Sequence, residues 1–207
     1  MRRLAGVLAG AMLLAAPLIG QRLPGVRDTR GFWVGMGGGI GQFSLSCSGC
    51  QGLTRVGFAG NATIGYSLGR PLQVAVQFCG DRVADGSSTI KAGAVHAQAL
   101  VSVPRSSGLF VGAGLGFAHF ELRRSGAAPS LATVSGFDWQ VGVGYEHPVA
   151  AGIALTPTVS YGRLGAHQAQ IGGVPSTIQA GRETLSFSLS LDWHWDPIQW
   201  HGTATAH

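Results

Sequence analysis

Eight stretches of this chain alternate apolar residues with small or polar ones, two residues to the period. The last is the plainest. Leu185, Phe187, Leu189, Leu191, Trp193 and Trp195 interleave with Thr184, Ser186, Ser188, Ser190, Asp192 and His194. Successive side chains of a β-strand point to opposite faces, so this period marks a strand with one apolar face. The same pattern runs through 32–40, 54–68, 72–79, 94–103, 109–118, 136–146 and 153–161. Beyond the N-terminal segment no uninterrupted apolar run has the length of a membrane-spanning helix.

Alternation alone does not say which face meets water. Composition decides. Only 11% of residues are charged, and Lys91 is the single lysine. A soluble domain carries about 25% charged residues, mostly on its surface. The face opposite the apolar one is built from Gly, Ala, Ser and Thr, which suit a narrow lumen better than a water-facing exterior. Glycine alone supplies 34 of 207 residues. Aromatic residues of the apolar face also sit at strand ends. Phe32, Tyr66, Tyr145, Trp193 and Trp195 fall at one rim, and Phe78, Phe117, Phe137, Trp139, Tyr161 and Phe187 fall toward the other. That is an aromatic girdle at two lipid interfaces. Backbone polar groups in lipid need internal partners, so strands can cross only as a closed barrel. The expected fold is therefore all-β: an eight-stranded, antiparallel, up-and-down transmembrane β-barrel over residues 30–195. The rival is a soluble, lipocalin-like ligand-binding barrel, which would turn the apolar face inward.

The ends and connections fit export. Arg2 and Arg3 precede an uncharged apolar run, Leu4 to Ile19, with small residues near Ala15, Ala16 and Gly20. This is the pattern of a signal peptide, expected over residues 1–22. Residues 196–207 form a C-terminal tail. Connections alternate in expected length: Gly69–Arg70, Pro104–Ser107 and Glu146–Ala151 are short, whereas Ser44–Gly52, Gly80–Ser88, Arg123–Ala132 and Arg163–Arg182 are long. Outer-membrane barrels keep turns on the periplasmic side and loops outside. Pro157 lies within the seventh strand, where a missing donor predicts a bulge or an absent ladder bond. Without Arg2 and Arg3 the formal charge falls from +5 to +3. That is too weak and scattered for nucleic-acid binding.

The opening GFWVGMGGGIGQF and the ending LSFSLSLDWHW resemble the first and last strands of the small bacterial outer-membrane β-barrel family, the OmpA/OmpX-like group that includes opacity proteins. The resemblance spans nearly the whole chain after the signal and specifies fold rather than function. It implies a bacterial outer-membrane location. It also implies contact with outer-membrane lipids and lipopolysaccharide, and passage through periplasmic chaperones and the barrel-assembly machinery, whose recognition signal in that family is the final strand. Here Trp195 is followed by further residues, which departs from a terminal aromatic. A monomer is expected.

Candidate chemistry is sparse. Cys47-Ser-Gly-Cys50 lies in the first long connection. It lacks the βαβ setting of a thioredoxin-type motif, and an oxidising export route makes it a possible disulfide. Cys79 is left over. The glycine runs Gly35–Gly41 and Gly112–Gly116 precede no helix and so are not phosphate loops. Polar residues expected in the lumen are Arg55, Asn61, Gln73, Gln77, His96, Asp138, Gln140 and Asp192. Arg55, Asp138, Glu146 and Asp192 are the charges placed inside, and Arg55 with Asp138 is the first candidate pair, since both fall in the upper half. His96 and His194 face inward at different depths, and no three or four residues have metal-ligand spacing, so neither metal nor cofactor is expected. His119-Phe-Glu-Leu lacks the adjacent serine of an outer-membrane lipid A deacylase, and no enzyme is expected. The function read from the sequence is a structural or surface-interaction role, with loops outside the cell. The alternatives are a narrow channel for water or small ions, and the soluble ligand-binding barrel.

Overall fold

The computed structural model describes residues 30–48, 52–69, 71–85, 88–103, 108–124 and 132–195. The expected signal peptide, the tail and Cys50 lie outside these residues. The strands are β1 (Gly31–Cys47), β2 (Leu53–Ser67), β3 (Leu72–Asp85), β4 (Ser88–Ser102), β5 (Leu109–Arg124), β6 (Ala132–Tyr145), β7 (His147–Ala150), β8 (Ile153–Ile171) and β9 (Val174–Trp195). Sequential neighbours from β1 to β6 and from β7 to β9 pair antiparallel, β1 also pairs β9, and β6 pairs β8 rather than β7, which closes the sheet into a ring. β7 is a short strand lying on the start of β8, so the ring has eight members. β1 begins where β9 ends, at Phe32↔Trp195. This is called the near end below, and the other the far end.

The apolar face points outward. Phe117 is 73% exposed and Met36 69%, while Trp33 and Asp138 are each 3% exposed. Ile40, Val56, Ile64, Val74, Val95, Val111, Leu115 and Leu189 are also exposed. This orientation rules out the lipocalin-like alternative, whose apolar residues would fill the interior. The outward apolar stretch runs from Phe32 to Ile40 on β1 and from Leu109 to Phe117 on β5. Roughly nine residues at ~3.3 Å, tilted ~40°, rise about 23 Å, close to the ~25 Å apolar band of outer-membrane barrels.

Above that band the pattern inverts. Phe43, Val83, Ile90, Phe120, Val134 and Leu164 point inward and are buried. Their outward neighbours are polar: Arg82, Lys91, His119, Ser135 and Arg163. The strands thus continue beyond the lipid as a water-soluble sheet wrapped around its own apolar core. This corrects three expected long loops. β1 runs through Cys47, the expected connection Gly80–Ser88 becomes the ends of β3 and β4, and Arg163–Arg182 becomes a β8–β9 hairpin. That hairpin closes on Gly172 and Gly173, whose φ values of +59° and +83° suit glycine in a tight turn. The connection 125–131 lies outside the described residues.

Pro157 causes no bulge on the β9 side, where Pro157↔Leu189 is in register. On the other side the β6 ladder ends at Gly144↔Thr158, and β7 resumes pairing only at His147↔Leu155. The proline therefore sits in a gap where no ladder donor is required.

Candidate functional site

The lumen is organised in three layers. At the near end Trp33, Ala75, Leu100 and Phe110 pack together, all buried. Glycines opposite them make the room. A Cβ at Gly65 would overlap the Trp33 indole, one at Gly144 the Phe110 ring, and one at Gly112 would lie 2.7 Å from Leu100 Cδ2. Trp33 and Gly65 are direct cross-strand partners, as are Phe110 and Gly144, and Leu100 and Gly112. Each large inward residue faces a glycine on the next strand, which lets bulky side chains cross a narrow barrel. The Trp33 ring also stacks on His194, with centroids 5.8 Å apart, and His194 Nε2 lies 3.7 Å from Glu146 Oε1.

The far end is filled by the inverted core. Phe43, Ala59, Val83 and Ile90 form one buried group, and Ala94, Ala118, Phe120, Val134, Leu164 and Ala169 another. Leu45 touches both groups. Gly57 and Gly41 leave the space taken by Val83 and Phe43.

Between these layers lies a polar chamber of about 100 Å³, enough for several waters. Its lining includes Asn61, Gln77, Cys79, Asp81, His96, Gln98, Asp138, Gln140, Arg182 and Asp192. Three carboxylates organise it. His96 Nε2 lies 3.1 Å from Asp138 Oδ2, with both side chains buried. Arg182 Nη1 donates to Asp81 Oδ2 at 2.8 Å, joining β9 to β3 across the lumen. Asp192 accepts from Thr156 Oγ1 at 2.6 Å and from Ser190 Oγ at 3.1 Å. Asn61 Nδ2 donates to Ser188 Oγ at 3.4 Å, and Gln98 Nε2 to Gln77 Oε1 at 2.7 Å. Charges in so confined a space must be paired or hydrogen-bonded, and these are.

The expected pair Arg55–Asp138 does not form. Arg55 sits opposite Phe43, near the far mouth, exposed, with Nη1 donating to Thr54 O at 3.1 Å. Asp138 is deep in the chamber and bound to His96. The basic group that does neutralise a lumen carboxylate is Arg182, which the sequence reading assigned to a loop. Its parity was visible: residue 182 continues the inward series Thr184, Ser186, Ser188. Asp81 likewise continues Gln77 and Cys79. Gln73 is buried at the near end, cross-strand from Ser67. Cys79 is a free thiol that donates to Gln77 Oε1 at 3.3 Å, with His96 Nδ1 4.0 Å away. Thiol, imidazole and carboxylate thus follow one another in the order of a nucleophilic triad. The thiol hydrogen, however, is held by an amide oxygen, and packed side chains fill the lumen on either side. Cys47 is disulfide-bonded. The other half of the expected pair, Cys50, lies outside the described residues. Among the described residues no three His, Cys, Asp or Glu gather as metal ligands.

On the outer surface, Phe32 meets Tyr66 edge-on at 4.9 Å, with Trp193 and Trp195 exposed nearby and Tyr145 half-buried, all at the near rim. Trp139 and Tyr161 lie 5.6 Å apart, and Phe117 and Phe137 6.4 Å apart, toward the far rim, with Phe78 exposed.

The sequence matches the outer membrane protein beta-barrel domain over residues 6–194. The chain belongs to this family. Its place is the bacterial outer membrane, and the ring, the outward apolar band and the aromatic rims are that family's architecture. No curated protein matches the barrel. Among solved structures it is similar to Neisserial surface protein A, with 16% identity, 77% of this chain and 96% of that chain covered, and a TM-score of 0.54. It is more distantly similar to Ail, the attachment invasion locus protein of Yersinia pestis (13% identity, 76% and 97% covered, TM-score 0.47). The outer membrane protein OprG from Pseudomonas aeruginosa matches at 11% identity, with 81% and 98% covered and a TM-score of 0.48. At such identities the likeness concerns fold alone.

Proposed function

We propose that this outer-membrane barrel is a sealed scaffold that presents its strand extensions outside the cell, with a structural or surface-interaction role and no enzymatic one. The observation that carries this reading is the lumen's layering. Large side chains set against glycines fill both ends, so the space that many lumen glycines would open is already occupied. A second feature agrees. Strand pairing is extended well beyond the apolar band, and the β8–β9 hairpin reaches furthest. Its tip, Gln170 to Gln179, is largely exposed and carries no charged residue. Chain invested in a strand-paired, uncharged projection suits display rather than conduction. The narrow-channel reading retains one support, the polar chamber.

Two measurements test the proposal. Ser176→Cys in the hairpin should be labelled on intact cells by a membrane-impermeant maleimide, while a cysteine placed at the Gly69 turn should not. Refolded barrel in a planar bilayer should be silent. Labelling at Gly69 rather than Ser176 would reverse the orientation, and steady conductance steps would replace the scaffold by a channel.

A further inference from the structure

Three inward side chains meet where the polar chamber touches the far core. Cys79 on β3 and His96 on β4 are diagonal neighbours on the inner wall, since Cys79 pairs with Ala94 and His96 with Gln77. Cys79 Sγ lies 4.0 Å from His96 Nδ1. On the other side of the ring, His96 Nε2 lies 3.1 Å from Asp138 Oδ2. A carboxylate at Nε2 holds the ring hydrogen there, which leaves Nδ1 with its lone pair toward the sulfur. Asp138 Oδ1 is buried and accepts no hydrogen bond among the described residues, so part of the carboxylate's charge is left for a cation.

The spacing is that of two ligands to one ion. Bonds of about 2.3 Å to thiolate sulfur and about 2.0 Å to imidazole nitrogen together reach slightly beyond the 4.0 Å gap. An ion between the two atoms therefore takes them at a wide angle. Imidazole ligands usually carry a carboxylate behind them, and here Asp138 is that group. Two ligands are too few for zinc, which takes four in closed sites. They suit a soft, monovalent, filled-shell cation, the class that thiolates select. The surroundings agree. Cys79 packs against the buried group of Ala94, Ala118, Phe120, Val134, Leu164 and Ala169, so one side of the sulfur is apolar. Replacing the thiol hydrogen by a metal strands no acceptor. Gln77 Oε1, which that hydrogen faces at 3.3 Å, also accepts from Gln98 Nε2 at 2.7 Å.

We infer that Cys79 and His96 form a binding site for a single Cu(I) ion, with Asp138 orienting the imidazole. As the ion binds, the Sγ–H bond breaks, an Sγ–Cu bond forms and the proton leaves to the medium. Copper stays monovalent throughout. One positive charge replaces another, so the net charge of the chamber is unchanged. The packed layers close both ends of the lumen, so the ion enters as the barrel assembles. The inference rests on the lumen geometry and is independent of the scaffold role.

The test refolds the full barrel without oxygen in the presence of Cu(I) and a Cu(I) chelator, removes the excess, and counts copper per chain by mass spectrometry. Wild type should retain a single copper, and so should Cys47→Ser with Cys50→Ser. Cys79→Ser should retain none. His96→Gln keeps an amide that can donate to Asp138 but loses the ring, and should yield its copper to the chelator several-fold more readily. X-ray absorption of the wild-type copper should show one sulfur and one nitrogen neighbour, and zinc supplied in the same way should wash out. An empty wild type, copper kept by Cys79→Ser, or a first shell of sulfur alone overturns the proposal. Zinc held as firmly as copper overturns it too, as does a His96→Gln barrel that matches wild type. Only chains with a heat-dependent gel shift are counted, and should His96→Gln not refold, the absorption spectrum of the wild type decides.

Discussion

A methyl group added at Gly65 would overlap the Trp33 indole, whereas one added at Gly80, on the outer wall, meets nothing within 4 Å. The two glycines look alike in the sequence and do different work. Gly65→Ala should destabilise the refolded barrel by about 1–3 kcal/mol, because overpacking forces a large ring off its position. Gly80→Ala should stay within about 0.5 kcal/mol, as exposed substitutions usually do. Urea unfolding in lipid vesicles, followed by tryptophan fluorescence, separates the two outcomes. Equal midpoints would mean that Trp33 is not held against Gly65. The chamber allows a second test at this scale. His96→Leu leaves the Asp138 carboxylate buried without its ring partner, and removing one member of a buried pair costs about 3–5 kcal/mol. Adding Asp138→Leu should recover part of that loss, since replacing both members by apolar groups removes the stranded charge. A double variant no better than the single one would show that the pair is not the unit that matters.

At the scale of the element, the strands were legible wherever they cross lipid and lost where they leave it. The segments 32–40 and 109–118 carry apolar residues outward against Gly and Ala, and that contrast is easy to see. Beyond the band the period persists but the sign changes. On β3 Val83 points inward between outward Arg82 and Ala84. On β4 Ile90 points inward between Thr89 and Lys91. On β8 Leu164 does so beside Arg163. Reading for apolar-out strands stops at the inversion, which is why Gly80–Ser88 and Arg163–Arg182 looked like loops and why Asp81 and Arg182 were missed as a lumen pair. At the near end the expected turn Glu146–Ala151 instead holds the short strand β7, which pairs with the start of β8, and 104–107 lies outside the described residues. Partner choice inside the lumen was not legible at all. Arg55 and Asp138 share an inward parity, but the stagger of the closed sheet carries Arg55 to the mouth and brings His96 to Asp138. The inverted core makes its own prediction. Leu164→Ala, buried in it, should cost about 2–5 kcal/mol. Replacing the exposed hairpin tip, residues 170–178, by a short Asn-Gly turn should shift stability by no more than about 0.5 kcal/mol. A hairpin deletion that abolishes the heat-dependent gel shift would show that the projection is part of the barrel's stability rather than cargo on it.

Across the whole molecule the two packed ends act in series, and this sets how conductance should respond to their removal. An eight-stranded barrel has an interior barely wide enough for its own side chains. Here the near end holds Trp33, Leu100 and Phe110, and the far end holds Phe43, Val83, Phe120 and Leu164, with the polar chamber between them. An ion must pass both layers, so opening one leaves the other as the barrier. Trp33→Ala with Phe110→Ala should therefore remain silent in a planar bilayer, as should Phe43→Ala with Leu164→Ala. Combining all four should give discrete steps. Current through that variant should favour cations, because Asp81, Asp138 and Asp192 line the chamber against the single arginine Arg182. Only material with a heat-dependent gel shift counts, since four large-to-small changes in packed regions risk misassembly, and the two double variants report which end tolerates truncation. If the near-end double variant alone conducts, the far core is not a seal and the strand extensions enclose a path. If wild type conducts, neither end is closed, and the Arg182–Asp81 bridge across the lumen becomes the constriction to mutate next.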